Sequence, residues 1–190
     1  PPSDSFLDLS RPINRGLSAY WSFYKNGPEY NELINNLQPT TVIDPPTLEV
    51  SNLPLRGFQY SFLSASSEVN YSSSYLAPFN LPTGSGFAIS FWYRPTSTNR
   101  RRAGLSYAIG NGGTSDELYF EDNSARLRIA FGSQTLRTDN TVFTIDRQHH
   151  VVFIIPNNAL TTECLVYIDG VLQPASIIAG SNVPQSVNIQ

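Results

Sequence analysis

Methionine is absent from this chain of 190 residues, and cysteine and lysine occur once each. A single thiol, Cys164, excludes an internal disulfide, a thiolate metal cluster and a redox pair. Charge is scarce as well, at 14% of residues against 12% aromatic. That balance excludes a disordered chain, which needs many charges and few large apolar groups. The net charge of −3 supplies neither a basic stripe for nucleic acid nor an acidic tail. Lys25 is the only lysine, so eleven of the twelve cationic side chains are arginines. Arginine is the more weakly hydrated, planar cation and suits fixed contacts. No unbroken apolar run exceeds five residues, as in Val151 to Ile155, where a spanning helix needs roughly 18. No charged and apolar leader opens the chain at Pro1-Pro2-Ser3-Asp4, and the start reads as processed or trimmed.

What is present is β signal, broken by proline and serine. Residues 1–16 read as an extended arm, because Pro1, Pro2 and Pro12 remove backbone donors. Ser18 to Tyr24 reads as a first strand, with Ala19, Trp21 and Phe23 on one face. A polar passage from Lys25 to Pro54 holds five prolines and reads as a long loop, with a short helical turn over Glu29 to Leu37. Phe58 to Leu63 and Glu68 to Tyr71 are short strand candidates in a serine-rich region.

From Phe87 the alternation becomes dense. Phe87, Ile89, Phe91 and Tyr93 point one way, and Ala88, Ser90, Trp92 and Arg94 the other. Leu105, Tyr107 and Ile109 alternate next, then Leu118 and Phe120, then Leu127, Ile129 and Phe131. His149 to Ile155 is apolar on both faces after its histidines, which predicts a central strand of two stacked layers. Cys164, Val166 and Ile168 alternate up to Asp169-Gly170, the strongest short hairpin signal in the chain. Many short strands with turn chemistry between them predict an all-β, two-sheet antiparallel sandwich.

Three pieces, in this order, resemble the concanavalin A-like, laminin-G-like jelly roll. They are Gly16-Leu17-Ser18-Ala19-Tyr20-Trp21, Ile89-Ser90-Phe91-Trp92-Tyr93-Arg94-Pro95, and His150-Val151 followed by Val166-Tyr167-Ile168-Asp169-Gly170. The resemblance implies a jelly roll over residues 17–190 behind the 1–16 arm. Two departures stand out: Gln148 holds the place of a family tryptophan, and the closing strand is not evident after Ile177-Ile178. The superfamily holds lectins, adhesion modules and glucanases, so the fold does not select a function.

Glucanases of this superfamily carry Glu-x-Asp-x-x-Glu, which Asp116 to Asp122 does not match. Glu117 and Glu121 share a strand face at about 13 Å between Cα atoms, too far for a glycosidase pair. His149 and His150 point to opposite faces and read as structural. The resemblance implies calcium in a rim loop, for which Asn111, Asp116 and Glu117 offer hard oxygen ligands. Arg100-Arg101-Arg102 reads as a solvated hairpin tip. Cys164 reads as a buried structural thiol.

Trp92, Arg94, Tyr119, Arg126 and Arg128 all fall on outward positions, and aromatic-plus-arginine is the composition of an interface centre. The expectation is a non-catalytic structural or adhesion module of an extracellular assembly, such as a virion capsid or tail surface or a cell-surface fibre. It would act on neighbouring protein subunits, with no nucleic acid and no membrane insertion. The alternative is a lectin-like domain that binds glycans.

Overall fold

The computed structural model describes residues 38–50, 58–61, 68–70, 86–96, 103–107, 118–131, 134–156 and 160–180. The chain divides into two compact units, Pro1–Asn80 and Leu81–Gln190. In the first, β1 (Thr41–Ile43) pairs with β4 (Glu68–Asn70), and β2 (Thr47–Val50) pairs with β3 (Phe58–Ser61), both antiparallel. The passage expected to be loop therefore contains two strands. Its prolines flank them rather than interrupt them: Pro39 precedes β1, and Pro45 and Pro46 sit between β1 and β2. The 1–16 arm, the Ser18 to Tyr24 strand and the Glu29 to Leu37 turn lie outside the described residues.

The second unit is the expected sandwich. Its strands are β5 (Phe87–Tyr93), β6 (Ala103–Tyr107), β7 (Leu118–Asn123), β8 (Arg126–Phe131), β9 (Gln134–Thr138), β10 (His149–Ile155), β11 (Leu165–Ile168), β12 (Val171–Gln173) and β13 (Ala175–Ala179). One sheet runs β12-β11-β10-β5 and the other β13-β9-β8-β7-β6, with every pairing antiparallel. The Arg100 to Arg102 run, expected at a hairpin tip, lies outside the described residues, and the flanking strands β5 and β6 belong to different sheets. Strand alternation cannot reveal this, because it reports facing and not which sheet a strand joins.

Between the sheets lies one apolar core. From the four-stranded sheet it takes Val151, Phe153, Ile155, Val166 and Ile168, and from the five-stranded sheet Phe120, Leu127, Ile129 and Leu136. Phe120 meets Phe91 edge-on at 5.2 Å and Phe153 at 5.8 Å, which stitches the layers together. Each such side chain, fully buried, contributes about 1.5–3 kcal/mol.

The hairpin turns are of the kind that matches strand twist. Asp169 and Gly170 carry φ of +53° and +79° between β11 and β12, as the Asp-Gly pair predicts. Ser124 and Ala125 carry +57° and +61° between β7 and β8, where no glycine announces the turn. The Asp122 carboxylate stabilises that turn by accepting the Ala125 N–H at 2.9 Å. It also accepts the Tyr93 hydroxyl of the facing sheet at 3.3 Å.

Candidate contact face

The ladder between β5, β10 and β11 decides which side chains share the outer face of the four-stranded sheet. His150 pairs with Trp92, Val152 with Ser90 and Tyr167, and Ile154 with Ala88 and Leu165. Tyr167 pairs in turn with Leu172 of β12. His150, Val152, Ile154, Leu165 and Tyr167 alternate with the buried Val151, Phe153, Ile155, Val166 and Ile168, and Ala88, Ser90 and Trp92 alternate with the partly buried Ile89 and Phe91. These eight therefore point away from the core, and Leu172 joins them through its pairing with Tyr167. None of the nine is buried, and none is Asp, Glu, Lys or Arg. An outward sheet face ordinarily carries polar alternation. Here Trp92 is 55% exposed and Leu172 53%, beside the part-exposed Val152, Ile154, Leu165 and Tyr167.

Trp92 is held rather than loose. Its ring lies 4.7 Å from the His150 ring at 32°, and the His150 Nε2 shares a 2.8 Å hydrogen bond with the Ser90 hydroxyl. The indole, the imidazole and the hydroxyl thus form one patch at the β5 edge of the sheet.

The neighbouring histidine does something else. His149 is 2% exposed on the core side, 5.5 Å from the Phe143 ring. Its Nε2 accepts the Thr144 backbone N–H at 3.0 Å. That fixes the proton on Nδ1, which donates to the Asp169 carboxylate at 2.9 Å. The same carboxylate accepts the His150 backbone N–H at 2.9 Å and lies 3.7 Å from the Arg147 guanidinium. Burial alone would raise the Asp169 carboxyl. The His150 N–H, the His149 ring and the Arg147 charge together outweigh it and hold the group below its ordinary 3.8. This cluster ties the start of β10, the β11–β12 turn and the 139–148 connection at one end of the face.

Two halves of a hydrolytic triad are therefore present but separated. Asp169 orients His149, whose Nε2 is occupied by a backbone donor; Ser90 bonds His150. Adjacent strand residues face opposite sides, so the oriented histidine is not the one at the serine. The expectation that the two histidines point apart holds. His149 is structural, while His150 belongs to the outer face.

Of the outward residues expected from sequence, only Trp92 lies on this face. Arg94 follows the end of β5, 3.3 Å from Asp146 in an ion pair that positions the connection into β10. Tyr119, Arg126 and Arg128 belong to β7 and β8 of the other sheet, and Arg126 and Arg128 point outward there beside Arg137. They do not form one surface with Trp92, because the two outward faces lie on opposite sides of the sandwich. Asn111, Asp116 and Glu117, the expected calcium ligands, lie outside the described residues, as does the Arg100 to Arg102 run. Among the described residues no three His, Cys, Asp or Glu side chains are grouped to hold a metal. Cys164 is buried; loss of hydration, then the charge of Glu163, pushes its thiol up from 9.0 to about 11.

Sequence reasoning missed His150, Tyr167 and Leu172 as members of the face. The available signal is β10 itself, apolar on both sides: one side packs in the core and the other is the outer face. Among the described residues no helix is long and apolar enough to cross a membrane.

Residues 68–188 match the model of a laminin G-like family of the concanavalin A-like lectin/glucanase superfamily. No curated protein and no solved structure matches the chain. With that span covering all of both large sheets and well over half of the sequence, the chain belongs to the concanavalin A-like lectin/glucanase superfamily, in its laminin G-like branch.

Proposed function

We propose that this protein is a non-catalytic contact module of an extracellular assembly, such as a virion surface or a cell-surface fibre, and that it engages neighbouring protein subunits. The observation that carries this reading is the outer face of the four-stranded sheet, with Trp92 exposed at one edge, Leu172 at the other and no formal charge between them. An apolar sheet face with an aromatic anchor has the composition of an interface centre. The split of the Asp–His and Ser–His pairs across two faces of β10 supports a role without catalysis.

Hydroxyl-radical footprinting of the chain alone and within its parent assembly tests the reading. Trp92 and Leu172 should oxidise readily in the free chain and be protected in the assembly. Equal oxidation in both states rules the face out as the contact.

A second reading has its own observation. An exposed indole beside a hydroxyl and an imidazole offers both a stacking plane and hydrogen-bonding groups, which suits a sugar ring. A glycan array, run with and without calcium, decides it. Binding that Trp92→Ala abolishes supports the lectin function, and no signal in either condition removes it. Asp116→Ala in the same array tests calcium at the expected ligands Asn111, Asp116 and Glu117.

A further inference from the structure

We infer that the occupant of the uncharged face is the same face of a second copy of this chain. This names the partner within the contact reading above and depends on it. Charge is the first argument. A partner that brought a charge onto nine residues without one would lose its hydration and gain no counter-charge. The partner surface must itself be uncharged, and this face meets that requirement. The opposite face of the sandwich, with Arg126, Arg128 and Arg137, does not.

Size is the second. β5 and β10 have seven residues each, β11 four and β12 three, which at about 3.3 Å per residue and about 4.8 Å between strands gives a footprint of roughly 330 Å². With side-chain relief that is about 500–700 Å² of accessible surface per copy, or about 1,000–1,400 Å² in a pair, at the lower end of specific interfaces.

Shape is the third. β5 carries its large outward residue, Trp92, at one end and the small Ala88 and Ser90 toward the other. A two-fold axis lying across the strands turns the second sheet end for end. Each Trp92 then sits over the Ala88–Ser90 stretch of the other copy, large against small on both sides. Such a self-complementary pairing needs only one patch.

Sedimentation equilibrium of the full chain from about 1 to about 100 µM tests this. Wild type should weigh two chains. Trp92→Glu and Leu172→Glu, both at exposed positions, should shift the mass toward one chain with unchanged circular dichroism. Arg137→Glu on the opposite face should leave the pair intact. A wild-type chain that stays single throughout the range overturns the inference, as does a pair that neither face variant weakens. If the chain is single in solution yet Trp92 and Leu172 are protected in the assembly, self-pairing fails while the contact reading stands. If neither site is protected there, the contact reading fails.

Discussion

Asp169→Asn alters the chemistry of one atom and leaves the shape of the turn alone. Asp169 sits at φ +53°, a region that asparagine tolerates at least as well as aspartate. The amide, however, has one oxygen for two donors. If the oxygen faces the His150 N–H, the NH₂ meets the Nδ1–H of His149. Moving the imidazole proton to Nε2 removes that clash and sets Nε2–H against the Thr144 N–H. Flipping the amide moves the conflict to His150. Every arrangement leaves one donor without an acceptor and removes the charge beside Arg147. An orphaned buried donor costs about 1–3 kcal/mol, and loss of a charge-assisted bond costs a similar amount. Because 33% of the Asp169 side chain is exposed, the sum is discounted for solvent to about 2–3 kcal/mol. For a chain of this size that corresponds to a melting temperature lower by roughly 5–10 °C.

The acid limb supplies a second readout of the same variant. The folded carboxyl holds its proton less tightly than the unfolded one, so its stabilisation is complete above the unfolded value of 3.8. It is lost as pH falls from there through the lower folded value. Urea unfolding followed by circular dichroism between about pH 2.5 and about pH 7 covers that window. Wild type should lose stability below about pH 4 more steeply than Asp169→Asn. A variant within about 0.5 kcal/mol of wild type and with the same acid limb refutes the cluster as described.

Three further outcomes follow from other sites. Cys164 should resist thiol reagents while the chain is folded: with its thiol at about 11, the ionised fraction at pH 8 falls from about a tenth to about a thousandth. Labelling should therefore be at least about 100-fold faster in urea, and equal rates contradict the burial argument. Thr138→Val should lower stability by about 1–3 kcal/mol, since the Thr138 hydroxyl accepts the buried Leu127 N–H at 3.2 Å and valine keeps only the shape; an unchanged melting curve refutes it. Ser124→Asn should raise the melting temperature by about 1–2 °C, because the exposed Ser124 holds a φ of +57° that asparagine adopts at lower cost; a drop counts against strain at that turn.

The strands with the densest apolar alternation, β5, β7, β8, β10 and β11, were legible in the sequence because burial on one side imposes period two. β9 was not. It has one large apolar residue, Leu136, yet Gln134, Thr135 and Thr138 are also buried. Its place in the interior of the five-stranded sheet comes from neighbours on both sides and from the Thr138 hydroxyl, which also donates to the Asn140 carbonyl. The opposed facing of His149 and His150 was legible from alternation, and Asp169 as a turn residue from the Asp-Gly pair. That the same carboxylate also holds His149 was not, since the contact depends on how β10 registers against β11. Grouping Trp92 with Arg126 and Arg128 failed for a related reason: outwardness can be read along a single strand, whereas sheet membership depends on pairing between strands distant in sequence.

The connection between β9 and β10, residues 139–148, has no regular structure and contains the run Asp139-Asn140-Thr141 with a 65%-exposed Arg147 side chain. By composition it invites a protease. Yet its backbone donors are spent on different parts of the sandwich: Asp139 on Pro174, Val142 and Phe143 on Ala125, Thr144 on His149 and Asp146 on Pro95. A trypsin-like enzyme needs several residues pulled straight, and here that means breaking five anchors on four separate strand ends and turns. Cutting at Arg147 thus requires opening of the sandwich itself, and the rate of nicking becomes a clock for global unfolding rather than a measure of how far one loop frays.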